Sequence, residues 1–110
     1  MGNRISYFYH IDSTPYRARC DFELRQGIEK LLKEKKQLTI TYTDPVSNKS
    51  ETITDHITHA TVKNQCAGSM RSYNLVILQT KNNNRLTFID GDFCDLELVP
   101  SAKGLIHQIK

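Results

Sequence analysis

The side chains best equipped for chemistry in this 110-residue chain are its histidines, its cysteines and a late group of carboxylates. His56, His59 and Cys66 stand in a His-x2-His-x6-Cys spacing, and imidazole nitrogens with a thiolate are the ligand types zinc takes. On a strand, residues three apart point to opposite faces, so the two imidazoles converge only where the chain bends. A fourth ligand would have to come from His10, Asp55 or Cys94. Exposed polar strand positions are the simpler account, and no metal is expected.

Cys20, Cys66 and Cys94 are an odd number, widely spaced and without a Cys-x-x-Cys pair, which argues against a disulfide framework. They read as reduced thiols of a cytoplasmic protein, some buried as small hydrophobes. A nucleophilic cysteine needs a histidine to activate it, and no local signature marks one here. Asp90, Asp92, Asp95 and Glu97 concentrate carboxylates within eight residues. The fixed ligand positions and terminal glutamate of a calcium loop are missing, so this stretch reads as an acidic turn at a barrel rim. The glycines at 2, 27, 68, 91 and 104 are scattered and form no phosphate-binding loop. The expectation is a protein that is not an enzyme and carries no cofactor.

Two short motifs add little. Met1 to Ser6 fits the N-myristoylation pattern, but one acyl chain anchors only marginally without a polybasic partner. Asn48-Lys49-Ser50 has the form of a glycosylation acceptor and lacks the secretory context that would give it meaning.

Charge is more informative. The 15 Lys and Arg outnumber the 12 Asp and Glu, for a net charge of +3. Arg17, Arg19, Arg25, Lys30, Lys33, Lys35 and Lys36 all precede the first strand, whereas 90–97 is acidic. Such a separation makes a charge dipole that steers association with a charged partner. For a nucleic-acid partner, the Lys and Arg side chains would meet phosphates and Tyr7, Phe8, Tyr9 or Tyr73 would stack on bases. The competing account is a solvated helix face and core aromatics.

The elements that must position these groups follow from periodicity. Residues 1–19 show none and read as an N-terminal arm, with Pro15 holding Thr14 extended. Asp21 can cap a helix whose Leu24, Ile28, Leu31 and Leu32 share a face, predicting a helix over 21–36. At residue 37 the period changes to two: Leu38, Ile40 and Tyr42 alternate with threonines in a first strand. A turn at 44–49 leads to a second strand over 50–57, with Thr61-Val62-Lys63 as an extension past a bend and 64–71 as a longer loop. Tyr73 to Thr80, with four contiguous apolar residues, predicts a central strand covered on both faces. Lys81 to Asn84 is a hairpin turn. Leu86, Phe88 and Ile89 mark a fourth strand, Leu96 and Leu98 a short fifth, and 101–110 reads as a frayed tail or short helix.

One helix followed by five antiparallel strands predicts a mainly β (α+β) fold, a small Sm-like or SH3-like barrel in a single domain over 20–100. A helix lying on an open antiparallel sheet is the close alternative. Apolar residues at 38% and charged residues at 25% are ordinary for a globular protein. No apolar run approaches the roughly 18 residues of a membrane span, and none near the start has signal-peptide length. A membrane protein, a disordered tail and a disulfide-stapled miniprotein are thereby disfavoured, and a cytoplasmic location is expected.

Two family resemblances emerge from these segments. Tyr16-Arg17-Ala18-Arg19-Cys20-Asp21 resembles the opening tyrosine and Cys-Asp pair of the Rho-binding antiterminators, small stand-alone Sm-like chains of bacterial transcription. Leu38 to Asp44 resembles their first strand and turn, and Arg85 to Asp90 their late Arg-Leu-Asp segment. The proline and isoleucine that the family carries between tyrosine and cysteine are absent. The resemblance implies a non-enzymatic regulator that docks on the RNA-binding face of the termination factor Rho through an acidic surface, which 90–97 would supply. Gly27 to Tyr42 and Tyr73-Asn74-Leu75 also look like the entry helix, first strand and Trp-Tyr-Leu element of a WYL domain. That likeness implies a nucleic-acid- or ligand-binding module.

Overall fold

The computed structural model describes residues 21–68 and 71–110. The expected arm over 1–19, with Tyr7, Phe8, Tyr9, His10, Arg17 and Arg19, lies outside the described residues, as does Cys20. Helix α1 (Asp21–Glu34) buries Leu24, Ile28 and Leu31 completely or nearly so, with Leu32 packed beside them. These are the residues whose spacing predicts the helix. It lies against the second strand and, less extensively, the first. Its exit is tied down where Ile57 N donates to Lys36 O at 2.9 Å.

Five strands form a closed barrel. Strand β1 (Gln37–Thr43) turns Leu38, Ile40 and Tyr42 inward. It pairs antiparallel with the first part of β2 (Ser50–Gly68), from Gln37 opposite His56 to Thr43 opposite Ser50. Asn48 closes the intervening turn at φ 60°, a left-handed conformation that asparagine tolerates better than most residues. The Asp44 carboxylate accepts from Val46 N at 2.9 Å in the same turn.

Strand β2 changes partners halfway. Its first seven residues pair with β1, and from Ile57 onward it pairs with β3 (Arg71–Thr80). The register shifts between Ile57 and His59. Thr58 sits at this irregularity, and its hydroxyl donates to Gln79 O at 3.2 Å. A bulge of this kind bends a strand and strengthens its twist, which lets one 19-residue strand serve both halves of the barrel.

Of the expected loop at 64–71, the described residues 64–68 and 71 are strand, and the polar side chains of Asn64 and Gln65 pair with those of β3. Asn64 Nδ2 donates to Asn74 Oδ1 at 3.0 Å, and the Tyr73 hydroxyl donates to Gln65 Oε1 at 3.1 Å. In β3, Val76 and Leu78 are buried while Leu75 and Ile77 are half-buried. The four apolar residues therefore alternate between a sealed face and a partly covered one.

Strand β4 (Arg85–Asp90) follows a turn closed by Asn83 at φ 66°. The expected fifth strand around Leu96 and Leu98 is a 3-10 helix, Phe93–Leu98. The fifth strand lies later: β5 (Gly104–Ile109) occupies the stretch expected to be a tail. It pairs antiparallel with β1 and closes the barrel by parallel pairing with β4, Phe88 opposite Gly104 and Ile89 opposite Leu105. The pairing is thus mixed, not wholly antiparallel. Parallel neighbours need a connection of about a dozen residues or more, and residues 91–103 with their 3-10 helix provide it.

The main core fills the barrel and the space beneath α1, with Phe88, Leu38, Ile40, Leu78 and Ile106 sealed from solvent. The Tyr42 and Phe88 rings meet at 5.2 Å between centroids, tilted by 56°. On the opposite face of β3 and β4, a smaller cluster of Tyr73, Ile89 and Leu96 gathers Leu75, Val99, Ala102 and Leu105. This second cluster holds the 3-10 helix against the barrel. No helix among the described residues is long and apolar enough to cross a membrane.

Candidate partner-docking site

The acidic stretch after β4 divides into buried and exposed carboxylates. Asp95 is fully buried, and its Oδ2 accepts from Asp92 N at 2.7 Å. Asp95 N donates to Asp92 O at 3.0 Å and Val99 N to Leu96 O at 3.3 Å. The Asp95 side chain thus reaches back three residues to the N–H just before the 3-10 helix, as the acidic member of a capping box does. Gly91 permits the tight approach: a Cβ there would stand 2.6 Å from Asp95 Oδ2 and 2.8 Å from Tyr73 Cβ. Asp90 is also buried, and its Oδ2 accepts from Asn74 Nδ2 at 3.1 Å. A polar relay therefore runs Asn64–Asn74–Asp90 from the hairpin into the barrel wall.

Two carboxylates of the stretch are left at the surface, the half-buried Asp92 and the exposed Glu97. Both line an open cleft of about 680 Å³ with Pro45, Cys94, Leu96, Pro100 and Ala102. Pro45 comes from the β1–β2 turn and the rest from the β4–β5 connection. The cleft thus exists because these two connections meet at one end of the barrel. Its apolar walls with carboxylates suit a cationic side chain, whose aliphatic stem can lie on the walls while its head meets an acid.

The other anticipated site residues are dispersed. Lys33, in the last turn of α1, and Lys35 and Lys36 just after it are exposed. Arg25 is half-buried and lies over the Phe22 ring at 5.8 Å. Tyr73, expected to stack on a base, is only 3% exposed and belongs to the second apolar cluster. Its ring face is part of the packing.

His56 lies opposite Gln37, His59 opposite Gln79 and Cys66 opposite Ser72. Three different rows of the sheet thus separate them, and no group of three or more His, Cys, Asp or Glu able to hold a metal gathers among the described residues. Cys66 and Cys94 are both free and exposed, so neither is one of the anticipated buried thiols.

The cleft residues Pro45, Leu96, Pro100 and Ala102 were not legible as site residues. Pro100 and Ala102 fall where a strand end and a tail are expected, and the sequence reading of 90–97 as an acidic turn at a barrel rim is the one signal near them. Comparison of the chain with protein-family models, curated proteins and solved structures gives no match.

Proposed function

We propose that the protein is a non-enzymatic regulatory binding protein that docks on a protein partner in bacterial transcription, in the manner of the Rho-binding antiterminators it resembles. The observation that carries this reading is the cleft at the barrel end, with Asp92 and Glu97 on walls of Pro45, Leu96, Pro100 and Ala102. A surface built to bind RNA is rich in lysine and arginine. An acid-lined cleft is its electrostatic complement, and complementarity of this kind sets on-rate and specificity. The RNA-binding face of Rho in the cytoplasm is the partner the resemblance implies.

The order of elements supports an Sm-like assignment of the barrel: a leading helix, a long second strand bent at Thr58, a 3-10 turn before the last strand, and closure of that strand on the first. The deciding experiment is a pull-down of purified Rho by the protein, combined with an in vitro termination assay. Binding with loss of termination at Rho-dependent sites is the expected result. Absence of binding with unchanged termination rejects the proposal.

A further inference from the structure

The outer face of β2, β3 and β4 carries a second concave feature, remote in sequence from the acidic connection. His59, Thr61 and Lys63 of β2, Ile77 and Gln79 of β3, and Arg85 of β4 line a shallow groove of about 140 Å³. The lining holds the cations Lys63 and Arg85 with an imidazole, a hydroxyl and an amide, and no carboxylate.

The pairing fixes how these groups are spread. His59 lies opposite Gln79, and Gln79 opposite Arg85. Two interstrand steps therefore separate His59 from Arg85 at the backbone, about 10 Å. Lys63 stands four residues further along the same strand, about 13 Å from His59. Thr61 and Ile77, which face one another across the ladder, form the floor between them. His59, Lys63 and Arg85 are exposed at the rim.

The imidazole is held in place: His59 Nδ1 lies 3.1 Å from Thr58 Oγ1, whose own proton goes to Gln79 O. Nδ1 is then the donor toward the hydroxyl.

We infer that this groove binds the sugar–phosphate backbone of a single-stranded nucleic acid. Lys63 and Arg85 stand two strands and four residues apart, about 16 Å at the backbone, a span that successive phosphates of one strand bridge more readily than one free phosphate, with the His59 ring at the same rim as a hydrogen-bonding group. The groove has no aromatic side chain among its lining residues, so it lacks the stacking platform that base contacts use. Recognition is of backbone charge, without sequence preference. This site is separate from the helix lysines and from the acidic cleft, and it does not depend on the identity of a protein partner.

The test is fluorescence anisotropy of a labelled oligouridylate of about 12 nucleotides, titrated with the full chain over a range of salt. Neutralising two phosphates of a single strand predicts a slope of log K against log salt near −1.4, or roughly a sevenfold loss of affinity from 50 to 200 mM salt. Lys63→Ala and Arg85→Ala, both at exposed positions, are each expected to reduce that slope by about 0.7, and circular dichroism checks that each remains folded. An oligoadenylate of the same length should bind with the same slope.

Three results overturn the proposal. One is no binding at low salt. Another is binding unchanged in Lys63→Ala/Arg85→Ala but lost on replacing Lys33, Lys35 and Lys36. The third is inorganic phosphate binding at these residues while the strand does not.

Discussion

Asn74 donates from its side-chain amide to Asp90 Oδ2 across 3.1 Å, joining β3 to β4 with both side chains sealed from solvent. Asn74 also accepts from Asn64 at 3.0 Å, so the pair anchors the hairpin tip as well as the sheet. Removing one member leaves the other's polar atoms buried without that partner, a loss of about 1–3 kcal/mol. Asp90→Ala and Asn74→Ala are each expected to lower the urea midpoint by that equivalent at an unchanged m-value. The double variant should cost less than the sum, because the bond between the two is already lost in either single variant.

Gly104 begins β5 where it packs on β1. A Cβ added there would run into the Thr43 carbonyl oxygen and stand 2.9 Å from Tyr42 Cδ2. The obstacle is largely backbone in a paired strand, which cannot swing aside as a flexible side chain can. Gly104→Ala is therefore expected to destabilise the fold by about 1–3 kcal/mol, despite alanine's lower conformational entropy cost. A thermal melt showing the variant equal to the parent would contradict this packing.

The same closure marks where the sequence was legible and where it was not. Leu38, Ile40 and Tyr42 alternate without interruption, and β1 buries those three. In β5, Gln108 lies opposite Thr41 and Ile106 opposite Tyr42, so His107 is an extra residue at a register shift. Its Nε2 meets Thr43 Oγ1. Ile106 and Ile109, three residues apart, are consequently both buried, and a search for period two passes over them. The second half of β2 was hidden for a different reason. Its Lys63, Asn64, Gln65 and Cys66 are polar, and the bonds that hold the hairpin together come from residues far along the chain. Helix α1 was readable because Leu24, Ile28 and Leu31 carry a local signal. The cleft was only half readable, since Asp92 and Glu97 look like Asp90 and Asp95 until burial separates them.

Tyr42 gives the protein a dependence on alkaline pH. Burial raises its phenol above the ordinary value of 10.0, and the nearby Glu51 and Asp44 carboxylates push in the same direction. The folded state therefore holds the proton more tightly than the unfolded chain does. The corresponding stability is fully present below pH 10 and is lost as pH rises through the raised value. Tyr42→Phe keeps the ring contact with Phe88 and deletes the ionisation. Urea unfolding should find the variant close to the parent at pH 7 and more resistant than the parent above about pH 10. Parallel losses in both proteins would assign the alkaline transition to other groups.

Glu97 offers a test of the proposed docking apart from folding. It is exposed on the 3-10 helix, so Glu97→Lys should change stability by no more than about 0.5 kcal/mol. Asp95, two residues earlier, is buried and its carboxylate ties the same helix to the Asp92 N–H ahead of it, so Asp95→Ala should unfold that connection and lose binding through structure. If the cleft receives a cationic side chain of the partner, Glu97→Lys places a like charge at its mouth. Association should then slow by about tenfold at low salt, with the difference shrinking as salt screens the pair. Surface plasmon resonance against immobilised Rho at two ionic strengths reads both effects. An unchanged on-rate in a folded Glu97→Lys protein would remove this cleft from the docking surface, because a charge reversal at the contact cannot be silent when approach is steered by charge.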